Sequence, residues 1–410
     1  MELNKIYQGN AFEVLKTFED NAIDCCITSP PYWGLRNYGN DVQVYGGSLN
    51  CNHNWEEQEL KLHYGESSKQ PEDKKLNKPM NPMQKDHQKI KSDCCQKCGA
   101  WKGNLGLEPT PQEYINHIVN ISCKVMRVLK PTGNYFLNVG DSFASHRSGS
   151  DMEINISKEE RLNSLIKRNS PKKEVKSNWF QEKQKLLIPH RIAIALQEKG
   201  FILRQDIVWV KKLFKYPEKE SIGSCMPMPV KDRFNTAQEY IFHFVKSKKY
   251  YYDLSEVKSP IKNSSLTRAE SPPSYSFRNE SEINPFKSQE KGFNKLYEKI
   301  KNNYIDDDNS GRRTIMEANP TNCIMFKREN QITTKEVEHF AKFPKSLVEM
   351  LLLCGCPEQG VCLDPFIGSG TTIEVCLKNN RKFIGIELNP DFVKITEERI
   401  KPLMEQMKLI

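Results

Sequence analysis

Three groups of residues have the types and spacing to do chemistry. The first is the corner Ser29-Pro30-Pro31-Tyr32, which follows the apolar run "AIDCCIT". Ser29 and the carbonyl of Pro30 are hydrogen-bond acceptors, and the paired prolines hold that carbonyl with little conformational freedom. Tyr32 supplies a flat aromatic face, and Trp33 either widens it or packs into the core. The second group is "VCLDPFIGSGTTIEVCLKNNRKFIGIELNPDF", residues 361–392. A short strand ends at Asp364, and Gly368 and Gly370 permit positive φ and close approach to a ligand. Thr371 and Thr372 are placed to cap the helix that follows, and a second strand ends at Glu387. Strand, glycine loop, helix, strand and acid form half of a nucleotide-binding fold. Glu387 lies 17 residues after Gly370, where it can accept hydrogen bonds from ribose hydroxyls. A dinucleotide fingerprint wants a third glycine where Ile373 stands, and a phosphate-binding P-loop wants a lysine that does not follow Gly370. The third group is Cys51-x-His53 with Cys95-x-x-Cys98, two close ligand pairs suited to tetrahedral zinc. Cys94 is the alternative fourth ligand. The pairs bracket the polar residues 56–93, so the metal is expected to staple the base of that insertion. With no catalytic base nearby, the site reads as structural.

The elements that must position these groups follow from hydrophobic pattern. Residues 22–28, 134–139, 201–210, 239–245, 360–364 and 382–387 read as strands. Residues 111–129, 187–198, 344–354 and about 370–379 read as helices. Alternating buried-type strands and helices predict an α/β fold with a parallel sheet. Three polar stretches, 56–93, 145–182 and 254–333, add little core and read as insertions. There is no internal repeat.

Composition sets the outer limits. At 410 residues the chain is long enough for one large or two ordinary domains. A formal charge of +9, from 61 Lys and Arg against 52 Asp and Glu, suits a polyanionic partner but equally a soluble surface. No run of apolar residues is long enough to span a bilayer, and the N-terminal residues lack the apolar core of a signal peptide. The expectation is a cytoplasmic protein of a prokaryotic cell or virus-infected host, with no membrane partner. An odd count of 13 cysteines points to reduced thiols, some on metal, rather than a disulfide framework.

"DPFIGSGTT" resembles the S-adenosylmethionine loop of the amino-methylating DNA methyltransferases, and "TSPPY" resembles their catalytic motif. "HFAKFPKSLVEMLL", from His339, resembles the segment that contacts the methionine side of the cofactor. The catalytic motif precedes the cofactor loop, which resembles the permuted class with its target-recognition region between the two. The resemblance covers most of the chain except the polar insertions. It implies an S-adenosylmethionine-dependent methyltransferase (Rossmann-like) sheet, circularly permuted. Residues 1–55 would be the catalytic-motif half, and 56–98 an insertion with the zinc knuckle. Residues 99–253 would continue the core, 254–333 would recognise the target, and 334–410 would form the cofactor half. Ser29, Pro30, Pro31 and Tyr32 become the catalytic set. Asp364, Phe366, Gly368, Ser369, Gly370, Thr371, Thr372, Glu387, Phe340, Phe343 and Pro344 become the cofactor set.

An exocyclic amine on a base is a poor nucleophile because its lone pair is delocalised into the ring. Acceptors at Ser29 and Pro30 favour a pyramidal, nucleophilic nitrogen, and stacking on Tyr32 requires the base to leave the duplex. No cysteine in a Pro-Cys context stands ready for covalent attack, which argues against methylation at ring carbon 5. The serine form resembles the cytosine-N4 enzymes, with adenine N6 as the alternative. Double-stranded DNA is the expected partner, with a cognate restriction endonuclease as a second. An RNA or protein methyltransferase of the same fold is the first rival, and a non-catalytic nucleic-acid-binding protein the second. The long polar region between the motifs favours DNA, and the intact loop together with Tyr32 favours catalysis. Asp141 either borders the pocket or caps a turn, Arg36 either touches phosphate or makes a surface salt bridge, and Asn10 is a weak candidate beside the adenine. His243 reads as a strand residue without chemistry.

Overall fold

A computed structural model describes residues 1–34, 41–48, 50–61, 89–144, 183–225, 230–260, 317–318, 320–326 and 344–407. The chain begins with β1 (Lys5–Gln8), α1 (Ala11–Lys16) and β2 (Ile23–Thr28). Four short strands follow: β3 (Gln43–Tyr45), β4 (Trp55–Lys61), β5 (Lys89–Cys95) and β6 (Trp101–Gly103). Next come α2 (Pro111–Val128), β7 (Leu129–Val139), α3 (Ile188–Glu198) and β8 (Ile202–Val210). The strands β9 (Lys212–Lys215), β10 (Glu220–Gly223), β11 (Gln238–Val245), β12 (Ser259–Pro260), β13 (Glu317–Ala318) and β14 (Cys323–Ile324) lead to α4 (Lys345–Gly355). The chain closes with β15 (Val361–Asp364), α5 (Thr371–Lys378), β16 (Lys382–Glu387) and α6 (Pro390–Met407).

The chain divides into two units. Residues 1–253 with 322–410 form the first and 254–321 the second. Within the second, β12 pairs antiparallel with β13. The first unit is built on an eight-stranded sheet of order β1-β16-β15-β2-β7-β11-β8-β14. The strand of the glycine loop, β15, therefore lies beside β2, which leads into the Ser-Pro-Pro-Tyr corner, although the two are far apart in the chain.

The sheet is mixed, which corrects the parallel expectation. β11 runs antiparallel to both β7 and β8, while the other neighbours are parallel. The cause is the connection. Between β8 and β11 the chain forms the β9–β10 hairpin instead of a crossover helix, and a parallel return needs a crossover.

Side chains alternate between two cores. Along β2, Ile23 and Cys26 face one cluster with α1, α2 and α3 residues. Cys25 and Ile27 face the other, with α4, α5 and Ile400 of α6. Helix α2 starts cleanly because Thr110 and Glu113 form a reciprocal capping box ahead of Pro111. Its buried stripe of Tyr114, Ile115, Ile118, Ile121 and Val125 fixes its rotation against the sheet, at about 1.5–3 kcal/mol per large apolar side chain. No helix among the described residues is long and apolar enough to cross a membrane.

Candidate active site

The parallel strands end at one edge of the sheet, where ligands bind in open α/β folds. Three of those ends carry candidate residues. Asp364, at the end of β15, is buried and accepts from Thr28 Oγ1 at 2.6 Å, from the Phe366 amide at 3.0 Å and from Thr372 Oγ1 at 2.7 Å. Burial pushes its carboxyl up to about 6, against the pull of the donors from Thr28, Thr372 and Phe366. The carboxylate thus ties the strand of the catalytic corner to the strand and first helical turn of the glycine loop. Thr371 and Thr372 do not cap α5 as expected. The cap position is Gly370, and the Thr372 hydroxyl is drawn to Asp364 instead.

The glycines of the loop have different reasons. Gly368 (φ 51°) brings its amide to Glu387 Oε2 at 2.9 Å. Gly370 (φ 79°) is packed from behind by α6, and a Cβ there would lie 2.4 Å from Cγ2 of Thr396. Thr396 Oγ1 donates to the Gly368 carbonyl at 3.0 Å, and Arg399 Nη1 to that of Ser369 at 2.6 Å. Helix α6 therefore grips the outer side of the loop. The other Glu387 oxygen accepts from the Asn389 amide at 2.9 Å. Burial pushes Glu387 up to about 7 despite the Asn389 and Gly368 amides. Phe366 is half-buried against the core, and Pro344 stands at the start of α4. Phe340 and Phe343 lie outside the described residues, as does Arg36.

The corner after β2 is held from three sides. The Pro31 carbonyl accepts from the Tyr114 hydroxyl at 2.8 Å. Trp33 packs against the core and its Nε1 donates to the Glu108 carbonyl at 3.0 Å, which makes it a support rather than a wider platform. Gly140 gives the Tyr32 ring its room, since a Cβ there would lie 2.5 Å from the ring carbons. The Tyr32 hydroxyl sits at the centre of a polar network. It donates to Glu239 Oε2 at 2.8 Å and accepts from Asn138 Nδ2 at 2.8 Å and from Ser29 Oγ at 3.2 Å. Lys211 forms an ion pair with the other Glu239 oxygen. Burial, together with the charge of Glu239, raises the Tyr32 hydroxyl well above its usual range, so it stays protonated and able to donate.

Asn138, Glu239 and Lys211 were not singled out from sequence. The available signal was a pair of charged residues, Lys211 and Glu239, at the ends of two apolar strand runs. It becomes informative only once β8 and β11 are known to pair antiparallel. Asp141 turns out to be a cap, accepting from the Ser142 and Ile188 amides at 2.9 and 3.0 Å at the start of α3. Asn10 caps α1 through the Phe12 amide. His243 bonds Asn134 at 2.8 Å, and burial lowers its ring to about 3, which keeps it neutral.

The third group also converges. One ligand atom each from Cys51, His53, Cys95 and Cys98 lies within 4.8 Å of all the others. Cys94 is outside this set and packs against the core.

A nucleotide-type glycine loop is thus tied through one carboxylate to an acceptor-rich aromatic corner at one edge of an α/β sheet. The model of the DNA methylase family of N6/N4 type matches residues 23–398, and the chain belongs to that family. It is 26% identical over 397 residues to the type II methyltransferase M.SmaI of Serratia marcescens, which covers 97% of this chain and 90% of the relative. It is 27% identical to M.Cfr9I of Citrobacter freundii, over 98% of this chain and 89% of the relative. A solved structure described as the PvuII DNA methyltransferase, cytosine-N4-specific, aligns with a TM-score of 0.48 at 16% identity, covering 99% of this chain and 93% of that one. The protein is thus an S-adenosylmethionine-dependent DNA methyltransferase.

Proposed function

We propose that the enzyme transfers a methyl group from S-adenosylmethionine to the exocyclic N4 amine of a cytosine turned out of duplex DNA at a specific site. The observation that carries this is the directed hydrogen-bond chain Ser29–Tyr32–Glu239. Because Ser29 Oγ gives its proton to Tyr32, its lone pairs remain to accept from an incoming N–H. Because Tyr32 in turn donates to a carboxylate held by Lys211, a proton leaving the amine has a path through Ser29 Oγ and the Tyr32 hydroxyl to Glu239 Oε2. Ser29 in place of an acid supports cytosine over adenine by its resemblance to the serine-form enzymes.

The residues present fit the cofactor. Asp364, Phe366, Gly368 to Thr372 and Glu387 line one strand edge, and each Glu387 oxygen has a lone pair beyond its single amide donor. With Pro344, and with Phe340 and Phe343 from the adjoining segment, they would hold S-adenosylmethionine. When bound, that group supplies an electrophilic methyl on a sulfonium. The chain contributes alignment, which accounts for much of the rate enhancement of such transfers.

The β9–β10 hairpin supports a nucleic-acid partner. Phe214 and Tyr216 are exposed among Lys212, Lys215 and Lys219, and Phe234 just before β11 is 96% exposed. Aromatic faces with interleaved cations suit splayed bases and phosphates. The names of the relatives, type II methyltransferases, support a role in protecting a site from a cognate restriction endonuclease in the cytoplasm. The circularly permuted order is supported by β2 and β15 pairing across opposite ends of the chain. The test is transfer of tritiated methyl to duplex DNA and to RNA, followed by nucleoside analysis. Label in N4-methylcytosine is expected. Label in N6-methyladenine sinks the base assignment, and label only in RNA sinks the partner.

Glu387 gives the cofactor site a pH signature. Ribose hydroxyls donate to the carboxylate form, so binding requires loss of a proton held up to about pH 7. Affinity for S-adenosylmethionine should rise about tenfold per pH unit below that value, about 1.4 kcal/mol each, and level off above it. Without cofactor the sign reverses. An unfolded glutamate ionises near 4.5 and the folded one near 7, so this group's contribution to stability falls as pH rises between them. Calorimetry at about pH 6 and 8 reads the first effect, and Glu387→Gln should flatten it. A flat wild-type profile would detach Glu387 from the ribose.

A further inference from the structure

The cluster of Cys51, His53, Cys95 and Cys98 has no part in the transfer chemistry, yet it is built with care. The Cys51 and Cys95 sulfurs are 3.8 Å apart, and Cys98 Sγ is 3.4 Å from His53 Nδ1. A tetrahedral zinc with Zn–S of about 2.3 Å and Zn–N of about 2.0–2.1 Å requires edges of about 3.8 Å and 3.5 Å. The backbone holds the four in place. Gly99, with φ of 71°, returns its amide to the Cys95 carbonyl at 2.9 Å, and the Cys95 amide donates to Ala100 at 2.7 Å. Gly47 leaves room for the knuckle, since a Cβ there would lie 2.8 Å from Cys98 Sγ. The Cys51 amide donates to Ser48 at 3.1 Å, and Gln96 donates to Asn54 at 3.0 Å, which ties the two halves together. Trp55 packs on the His53 ring with centroids 4.5 Å apart.

The strands β3 to β6 form a four-stranded antiparallel sheet of order β3-β6-β5-β4, whose β5 ends at Cys95, and this sheet backs the Ser29–Tyr32 corner. Next to the knuckle, Trp101 of β6 stacks on His117, centroids 5.7 Å apart, and His117 Nδ1 lies 3.0 Å from Glu108 Oε1. Glu108 accepts from the Gly106 amide at 2.8 Å and from Trp33 at 3.0 Å, and the Gly106 carbonyl accepts from Gly34 at 2.8 Å. A Cβ on Gly106 would lie 3.0 Å from the Tyr32 carbonyl, so this turn presses directly on the corner.

We propose that Cys51, His53, Cys95 and Cys98 bind one zinc ion, and that the ion positions the Ser29–Tyr32 corner through β6 and the Gly106–Glu108 turn. Zinc closes a loop in which 41 residues separate His53 from Cys95, and clips on long loops restrict the unfolded chain most. The four residues are positioning residues: none belongs to the Ser29–Tyr32 corner or to the glycine loop, and their effect would reach the reaction through the geometry of the corner.

Elemental analysis of the full chain purified without chelator should find about one zinc, and cobalt substitution should give the visible bands of a tetrahedral thiolate site. Cys98→Ser should lose the metal, whereas Cys94→Ser should keep it. Chelation of the wild-type protein should lower turnover on duplex DNA by about 10-fold to 100-fold, the scale set by misplacing reacting groups by an ångström. Affinity for S-adenosylmethionine should stay within twofold, which a merely unfolded protein would not allow, and added zinc should restore turnover. The metal count does not rest on the methyl-transfer reading, whereas the turnover arm does, so the two fail separately. Metal-free protein, or zinc that survives Cys98→Ser, overturns the site. A chelated protein that loses zinc but keeps full turnover overturns the positioning role.

Discussion

Tyr32→Ala is expected to lower turnover on duplex DNA by about 10²-fold while leaving the affinity for S-adenosylmethionine within about twofold. Two losses combine. The first is the face for the turned-out base, worth about 1–3 kcal/mol per stacked base, or about 5-fold to 150-fold. The second is the hydroxyl that links Ser29 and Asn138 to Glu239. Hydrogen bonds to charged groups contribute about 1.5–3 kcal/mol, so Tyr32→Phe alone should cost about tenfold or more. The residues proposed for the cofactor lie at the end of β15, in the loop after it, at the end of β16 and at or before the start of α4, which would keep binding largely separate. Single-turnover kinetics and calorimetry on the three proteins check this. A phenylalanine variant as fast as wild type would remove the hydroxyl from the proton path. A phenylalanine variant as slow as the alanine one would leave stacking with no measurable share.

What the sequence made legible was local. The Ser-Pro-Pro-Tyr corner, the glycine loop and the acid at the end of β16 each lie within a few dozen residues, and their residue types carry their geometry. The meeting of Cys51 and His53 with Cys95 and Cys98 was legible for the same reason, since two close ligand pairs bracketing a polar insertion suit one tetrahedral site, and the four ligand atoms do converge. The polar surroundings of Tyr32 were hidden because Asn138 and Glu239 come from β7 and β11, and Lys211 from the link between β8 and β9, elements whose neighbours depend on the path of the chain. The antiparallel β11 was missed because buried strands of either direction show the same apolar run. Thr371 and Thr372 misled for a physical reason. A threonine caps a helix from the position just before its first turn, and here Gly370 holds that position, so Thr371 and Thr372 already lie inside the helix. Gly370 was read as making room for a ligand, whereas its open side is filled by Thr396.

Asp364→Ala should be the most destabilising single change at this edge of the sheet. The side chain is 3% exposed and is the only link described here that joins the Thr28 hydroxyl, the Phe366 amide and the Thr372 hydroxyl. Removing it strands two buried hydroxyls and a part-buried amide, each at about 1–3 kcal/mol, so a loss of about 3–9 kcal/mol is expected. That is a large part of a typical stability of about 5–15 kcal/mol. Asp364→Asn separates shape from charge. Its oxygen can keep Thr28 and Phe366, and its amide nitrogen can donate to Thr372, whose hydroxyl is also an acceptor. The loss should then be about 1 kcal/mol. The charge itself is costly, since burial holds the folded carboxyl near 6 against 3.8 for an ordinary aspartate. Wild-type stability from this group therefore falls as pH rises through that window, and the asparagine variant should lack that slope. Urea unfolding at about pH 4.5 and 7.5 reads both effects. An alanine variant with an unchanged midpoint would mean that the carboxylate does not hold β2 to the cofactor loop. An asparagine variant as unstable as alanine would mean that the negative charge, and not the hydrogen-bond geometry, makes the link.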